Sequence, residues 1–325
     1  YGAGKIDLRP LAWFDLPTLL GNRNRVISLN KAASLTQGNP IRLSNLVSSL
    51  APDSHSPTVL MDDPEKEINW YGQVLHQPGD RSARLSFFTP DQFDPGKDPS
   101  ALFEYLCFQA GELGALNVLA DVEESHPLHD ILRAVGFNVY GWETIWRLPN
   151  HFGSPVSASS WSKSSPVDDP AIRSLYQTLV PPLVQNAEPF TNGNTPRLIY
   201  RPGSDIMAYV ESLAGHQGIY LIPLIHPSVE DPGTLMIDLV NHFQDLGRPV
   251  YIQVRSYQAW LTEILEQLGA HSTPRFNLLV KHLAVGQYST VKEAQRVRSD
   301  QRRAEPSSPM VNHYVKPQPR DEGLK

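Results

Sequence analysis

The sequence predicts a mixed α/β fold made of two tandem copies of one unit. An internal repeat is the first observation behind this prediction. Segment 99–102, Pro-Ser-Ala-Leu, matches 232–235, Pro-Gly-Thr-Leu, and the same offset aligns Gly136 with Gly269. The second observation is that helix-like and strand-like segments alternate in the same order in both copies. A stretch rich in Ser, Pro and Gly separates the copies, which is typical of a linker.

Length and composition agree with this organisation. At about 150 residues per domain, 325 residues suggest two domains. The net charge of −6 gives no basic field for nucleic acid, and we expect no nucleic-acid partner. No apolar run approaches the roughly 18–20 residues that span a bilayer, and the N-terminus does not resemble a signal peptide. We therefore expect a soluble, cytoplasmic protein without a membrane partner.

Each copy is predicted to contain a helix, three strands, a helix, a strand, a helix and a last strand. Apolar residues at three- and four-residue spacing predict the helices, and β-branched runs bounded by turn residues predict the strands. Gly136 and Gly269 are predicted C-terminal caps. In the first copy, after a strand at 6–9, the segments are 14–20, 58–61, 68–76, 83–89, 101–113, 118–122, 127–135 and 142–148. In the second copy they are 171–183, 197–200, 206–213, 218–225, 234–246, 250–254, 259–268 and 276–283.

The same patterns place the boundaries between units. We predict an N-terminal domain at 1–149, a linker at 150–159, a C-terminal domain at 160–284 and a polar tail at 285–325. The tail carries eight Lys and Arg against five Asp and Glu, with several prolines. This composition predicts that the tail has no packed core of its own. It is either a solvated tail or a basic docking arm.

Four segments of the first copy resemble the C-terminal half of a GNAT acyl-CoA N-acyltransferase domain. They are 114–115 (Gly-Ala), 118–122 (Val-Leu-Ala-Asp-Val), 129–137 (His-Asp-Ile-Leu-Arg-Ala-Val-Gly-Phe) and 143–148 (Glu-Thr-Ile-Trp-Arg-Leu). The second copy looks like the same half-domain, with Gly-Ala at 269–270 where the first has Gly-Phe.

The resemblance implies two tandem GNAT-like domains, each a mostly antiparallel mixed sheet flanked by helices. It also implies transfer of an acyl group from acetyl-CoA or another acyl-CoA to an amine, with a small-molecule amine or a protein as partner. The alternative is a non-catalytic binding or interaction module of the same fold, without CoA binding, because fold alone does not fix function.

The resemblance implies that the cofactor contacts the two loops that lead into the central helices. In the family, a Gln/Arg-x-x-Gly-x-Gly/Ala loop lets backbone N–H groups approach the CoA pyrophosphate. Segments 94–101 and 229–234 do not match this pattern, and they place carboxylates and prolines there. The residues at the corresponding positions are Gly96, Lys97, Ser100, Ala101, Gly233 and Thr234.

The candidate catalytic residues are His226, Asp121 and Glu124. Many family members place a Tyr acid four residues before the helix-terminal Gly, where this chain has Leu132 and Leu265, and leucine donates no proton. His226 is either a base for the incoming amine or a residue at the surface end of a strand. Asp121 and Glu124 either hold a cationic substrate and accept its proton, or belong to a solvated loop.

No metal site is predicted, since the His pair at 126 and 129 has no second ligand cluster. Cys107 lies in an apolar helix and is predicted to be a buried structural thiol. The groove between the two central strands of each copy distinguishes the two functions. An open, positively lined groove favours the transferase, and a filled or acidic groove favours the binding module.

Overall fold

The computed structural model describes residues 7–51, 54–63, 68–91, 98–149, 159–191, 195–244 and 247–283. Loop residues Gly96 and Lys97, most of the predicted linker and the tail lie outside these ranges. The described residues fall within one compact unit, Tyr1–Ala284. None of the helices in these ranges is long and apolar enough to cross a membrane.

One mixed sheet runs through the unit, with helices packed against it. Its strands are β1 (Asp7–Pro10), β2 (Ile27–Ser28), β3 (Thr58–Asp63), β4 (Ile68–Leu75), β5 (Ser82–Thr89), β6 (Asn117–Glu123), β7 (Asn138–Arg147), β8 (Trp161–Lys163), β9 (Arg197–Tyr200), β10 (Ala208–Ala214), β11 (Ile219–Ile225), β12 (Val250–Arg255), β13 (His271–Ser272) and β14 (Phe276–His282). The helices are α1 (Leu16–Gly21), α2 (Lys31–Gln37), α3 (Leu43–Ser49), α4 (Ser100–Glu112), α5 (Leu128–Ala134), α6 (Asp169–Leu179), α7 (Pro182–Ala187), α8 (Pro232–Gln244) and α9 (Leu261–Gln267).

The predicted elements of the two copies are present, with small shifts at their ends. The central helices predicted at 101–113 and 234–246 are α4 and α8, and each packs its apolar face on one of the two main cores. Gly136 and Gly269 have φ of 97° and 73°, the left-handed conformation of a helix C-terminus. Cys107 is buried in α4, as predicted, and burial raises the pKa of its thiol to about 12.

The structure differs from the prediction at two places. The helix predicted at 171–183 ends at Leu179, because Pro181 and Pro182 cannot continue it and a second short helix, α7, begins there. Residues 22–57 carried no predicted element, yet they form β2, α2 and α3. Their polar composition and short length gave no periodic signal.

The sheet joins the two copies by exchanging their last strands. Its order is β1-β3-β4-β5-β6-β14-β7-β12-β11-β10-β9-β8. Strand β14, the last of the second copy, lies between β6 and β7 of the first. Strand β7 in turn pairs with β12 of the second copy. The division into 1–149 and 160–284 stays a prediction, and the sheet is continuous across that boundary.

Candidate functional site

The central strands of the first copy separate soon after they begin. Strands β5 and β6 pair in parallel through Ser82–Arg84 and Asn117–Leu119. Beyond this point a segment of the same chain, Ile27–Leu29, lies between them. Ile27 and Ser28 pair with Phe88 and Phe87 of β5.

Leu29 closes this groove with main-chain hydrogen bonds to both β5 and β6. Its N–H donates to the carbonyl of Ser86 at 2.9 Å, and its carbonyl accepts from the N–H of Asp121 at 2.9 Å. The Leu29 side chain is fully buried in the core under α4. The groove of the first copy is therefore filled by main chain, with a buried leucine as its anchor.

Helix α2 holds this segment against the second copy. The Lys31 N–H at its start donates to Asp121 Oδ2 at 3.1 Å. The Thr36 carbonyl near its end accepts from the N–H of Gln217, in the turn between β10 and β11, at 2.9 Å. A Cβ at Gly215 would lie 2.2 Å from the Thr36 oxygen, so only glycine fits this approach.

The corresponding groove of the second copy is crossed by one side chain. Strands β11 and β12 pair in parallel through Ile219–Leu221 and Val250–Ile252 and then separate. Oriented to satisfy both neighbours, the buried Gln258 amide donates to the Pro223 carbonyl at 3.0 Å and accepts from the Ile225 N–H at 3.2 Å. The free edge of β11 is thus satisfied from within the chain.

Carboxylates of the chain lie at the N-termini of both central helices. At α4, the Asp98 carboxylate accepts from the backbone N–H of Ser100 at 2.9 Å and from its hydroxyl at 2.6 Å. At α8, Asp231 Oδ1 accepts from the N–H of Thr234 at 2.9 Å. Hydrogen bonds from the Thr234 hydroxyl and backbone lower the pKa of Asp231. A carboxylate at each of these points repels a phosphate placed there.

A cleft of about 1310 Å³ lies between the two copies. Its first wall comes from α2, with Ala33 and Thr36, and from Arg84 and Asp121 of the first copy. Strand β12 contributes Gln253 and Arg255 from the second copy. Aromatic side chains complete the lining: Tyr176, Phe190, Tyr209, Tyr220 and Tyr257.

A cluster of buried and partly buried charges forms one side of this cleft. The Glu188 carboxylate lies 3.1 Å from an Arg84 nitrogen and 3.0 Å from an Arg255 nitrogen, so it connects the two copies. Arg84 also lies 3.4 Å from Asp121, and Arg255 lies 3.3 Å from Glu143. The Gln253 amide donates to Glu143, and the Tyr140 hydroxyl donates to Glu188.

The two glutamates of this cluster have opposite pKa shifts. Burial alone would raise the pKa of Glu188, but Arg255 and Arg84 outweigh it and lower the value to about 2. Burial raises the pKa of Glu143 to about 7, and Arg255 opposes this only in part. Glu143 therefore changes charge near neutral pH, whereas Glu188 stays ionised.

The structure does not bring the three predicted catalytic residues together. Asp121 is buried in β6 and lines the cleft. Glu124 is exposed, and its carboxylate pairs with Arg275 at 2.7 Å, which lowers the pKa of Glu124. The His226 ring lies 2.6 Å from the Ser228 hydroxyl, in the turn after β11. Of the predicted cofactor contacts, Ala101 lies in the first turn of α4 and Gly233 in that of α8.

Sequence reasoning missed most of the charged cluster. Glu143, Gln253 and Arg255 occupy strand positions, and Glu188 follows a short helix. The sequence of β12 does contain a signal for these polar residues. Gln253 and Arg255 alternate with the buried residues Ile252 and Val254. A polar residue at every second position of a buried strand indicates a polar interior on one face.

Comparison with known proteins shows the fold. No family model and no curated protein sequence matches the chain. Among solved structures, a GCN5-related N-acetyltransferase from Sphaerobacter thermophilus is similar at 12% identity and a TM-score of 0.52, over 86% of this chain and 96% of that one. A GCN5-related glucosamine N-acetyltransferase region of a fungal multi-domain GH3 β-N-acetylglucosaminidase is similar at 10% identity and a TM-score of 0.53, over 86% of this chain and 38% of that one.

Proposed function

We propose that this chain, which has the GNAT fold, binds a small polar molecule in the cleft between its two copies and does not bind acyl-CoA. One observation carries this proposal: Leu29 bridges β5 and β6 through its own N–H and carbonyl. Backbone groups that are already paired offer a ligand nothing to bind, and displacing the segment would expose a buried leucine.

The helix N-termini support the same reading for both copies. A helix N-terminus attracts phosphate through free N–H groups and a positive dipole end. Here Asp98 and Asp231 accept those N–H groups and place negative charge at the same points. The filled groove and the two carboxylates both favour the binding module over CoA-dependent transfer.

The cleft has the features of a ligand site. It is large enough for a small molecule, and both aromatic side chains and the charged cluster line it. Glu143 beside it has a pKa raised to about 7, and a strongly shifted ionisable group in a cleft is typical of functional sites.

A second candidate function, acyl transfer, is favoured by the groove of the second copy. There the barrier is one side chain, Gln258, which a rotation can move aside. Glu143 would take a proton from the ammonium of an acceptor, and the free amine would attack the thioester carbonyl to form the C–N bond. The C–S bond would then break, and the departing thiolate would take the second proton from the nitrogen, giving the amide and CoA thiol. A base with a pKa near 7 suits this step.

Two measurements on the full chain test the proposal. Calorimetry with acetyl-CoA is expected to show no binding at about 1 mM ligand. Ligand-observed NMR with a library of small polar molecules is expected to give hits that Ala33→Trp abolishes, because Ala33 lines the cleft. Ala134→Trp, on the exposed face of α5, is the matched control and is expected to keep the hits.

The outcomes separate the two functions. Acetyl-CoA binding in the micromolar range contradicts the proposal and favours acyl transfer. Absence of any hit that depends on Ala33 contradicts ligand binding in the cleft.

A further inference from the structure

Two side chains of β12 set the chemistry of the cleft, and the inference drawn from them rests on the proposed function. Gln253 and Arg255 are two residues apart on a strand, so they point to the same face. They are 5% and 9% exposed, and both line the cleft.

Each of these side chains has one polar atom without a hydrogen-bond partner among the described residues. Gln253 Nε2 donates to Glu143, and Arg255 uses Nε toward Glu143 and Nη2 toward Glu188. Gln253 Oε1 and Arg255 Nη1 have no hydrogen-bond partner among the residues that the structure describes. A buried polar atom without a partner costs free energy, so a bound group that pairs with both atoms is favoured. Both atoms are buried, and the side chains that carry them line the cleft.

The charges around these atoms limit the ligand further. Near Glu143 lie three cations, Lys31, Arg84 and Arg255, and two further carboxylates, Asp121 and Glu188. Above the Glu143 pKa of about 7, where the ionised form of Glu143 predominates, the cluster carries three charges of each sign. A ligand group with a net charge would upset this balance in a buried place, whereas a neutral group would not.

We infer that the cleft recognises a carboxamide, whose oxygen accepts from Arg255 Nη1 and whose N–H donates to Gln253 Oε1. A carboxamide is neutral, and it carries its acceptor and its donor on neighbouring atoms. The aromatic walls, including Tyr220 and Tyr257, then contact the apolar part of the ligand.

Three molecules of nearly equal size test this inference on the full chain: propionamide, propionate and propylammonium. Binding is measured by NMR titration at pH 7.5. Propionamide is expected to bind about tenfold more tightly than either ion, because only it pairs with both atoms without adding charge. Alanine, a zwitterion, is the fourth probe and is expected to bind more weakly than propionamide.

Matched variants identify the contacts. Gln253→Ala is expected to weaken propionamide binding about fivefold, and Arg255→Lys about tenfold, since lysine keeps the charge but lacks the second guanidinium nitrogen. Gln267→Ala, at an exposed position on α9, is expected to change nothing. Circular dichroism of each variant shows whether it is folded.

Equal or tighter binding of propionate, propylammonium or alanine overturns the inference, and so does unchanged propionamide binding in a folded Gln253→Ala. These failures differ from failure of the proposed function. If library hits depend on Ala33 but propionamide is not preferred, the cleft binds ligands and only their assignment as carboxamides is wrong.

Discussion

The two copies close the same groove in different ways. In the first copy, main chain fills the space between β5 and β6, and Leu29 is buried beneath it. In the second copy, the side chain of Gln258, from the turn that follows β12, forms hydrogen bonds with the main chain of Pro223 and Ile225 in β11. A segment of main chain is fixed by several bonds and by core packing, whereas one side chain is held by two bonds and can rotate. The comparison shows one fold in which main chain packed into the core closes one groove and a single side chain closes the other.

The largest expected effect tests the filled groove. Leu29→Ala removes a fully buried side chain from the core under α4 and is expected to lower the free energy of unfolding by about 2–5 kcal/mol. Urea titration measures this loss. Leu43→Ala, at a position that is 56% exposed, is the matched control with a loss below about 0.5 kcal/mol. Equal losses for the two variants would show that Leu29 is not held in the groove.

The next effect tests the anchor of that segment on the second copy. Gly215→Ala places a methyl group 2.2 Å from the Thr36 carbonyl and is expected to move α2 away from the turn between β10 and β11. Overpacking of this kind costs about 1–3 kcal/mol, measured by thermal or urea unfolding. Gly203→Ala has open space around it and is the control. If Gly215→Ala loses no more stability than Gly203→Ala, the close contact between Gly215 and Thr36 does not hold α2 against the second copy.

Gln258→Ala tests the closure of the second copy's groove. It leaves the Pro223 carbonyl and the Ile225 N–H without their partner, with an expected loss of about 1–2 kcal/mol in urea unfolding. The loss is expected to stay below that of Leu29→Ala, because no core packing is removed. Gln267→Ala serves as the exposed control. A loss larger than that of Leu29→Ala would reverse the order of the two grooves.

The last prediction concerns the pH dependence of stability at Glu143, which faces Arg255, Gln253, Asp121, Glu188 and Tyr220. Its folded-state pKa, about 7, exceeds the unfolded value, so its protonated form favours folding. Its stabilising contribution is present at low pH and falls as pH rises through 7, with a slope of at most about 1.4 kcal/mol per pH unit.

Glu143→Gln, a neutral isostere, is expected to remove this slope between pH 5 and 8 in urea titrations at a series of pH values, a window set by the pKa of about 7. Glu124→Gln, at an exposed position whose pKa is lowered, is the control and is expected to keep it. The assignment fails if wild type and Glu143→Gln have the same pH profile in this window.

Strongly periodic segments could be predicted from the sequence. Helices α4, α5, α8 and α9 begin and end within about two residues of their predicted bounds, because apolar spacing and terminal glycines are local signals. The segment that fills the first groove could not be predicted from the sequence. Its elements β2 and α2 are short and polar, and their positions depend on partners far along the chain. The exchange of β7 and β14 likewise has no local signature.

The candidate site was predictable only in part. Asp121 was named from sequence and lies in the cleft, and the carboxylates in the two loops were recognised as unfavourable for phosphate. Glu188 pairs with Arg84 and Arg255, which lie far from it in sequence, so the charged cluster exists only once the two copies share a sheet.

Hydrogen exchange at the backbone amides of Leu29 and Asp121 tests the central claim most directly. Both amides donate within the filled groove, and we predict that they exchange as slowly as the core amides of β5 and β6. Acetyl-CoA is predicted to leave their rates unchanged. Fast exchange of the Leu29 amide, or exchange that becomes faster when acetyl-CoA is added, would show that the segment leaves the groove and would contradict this account.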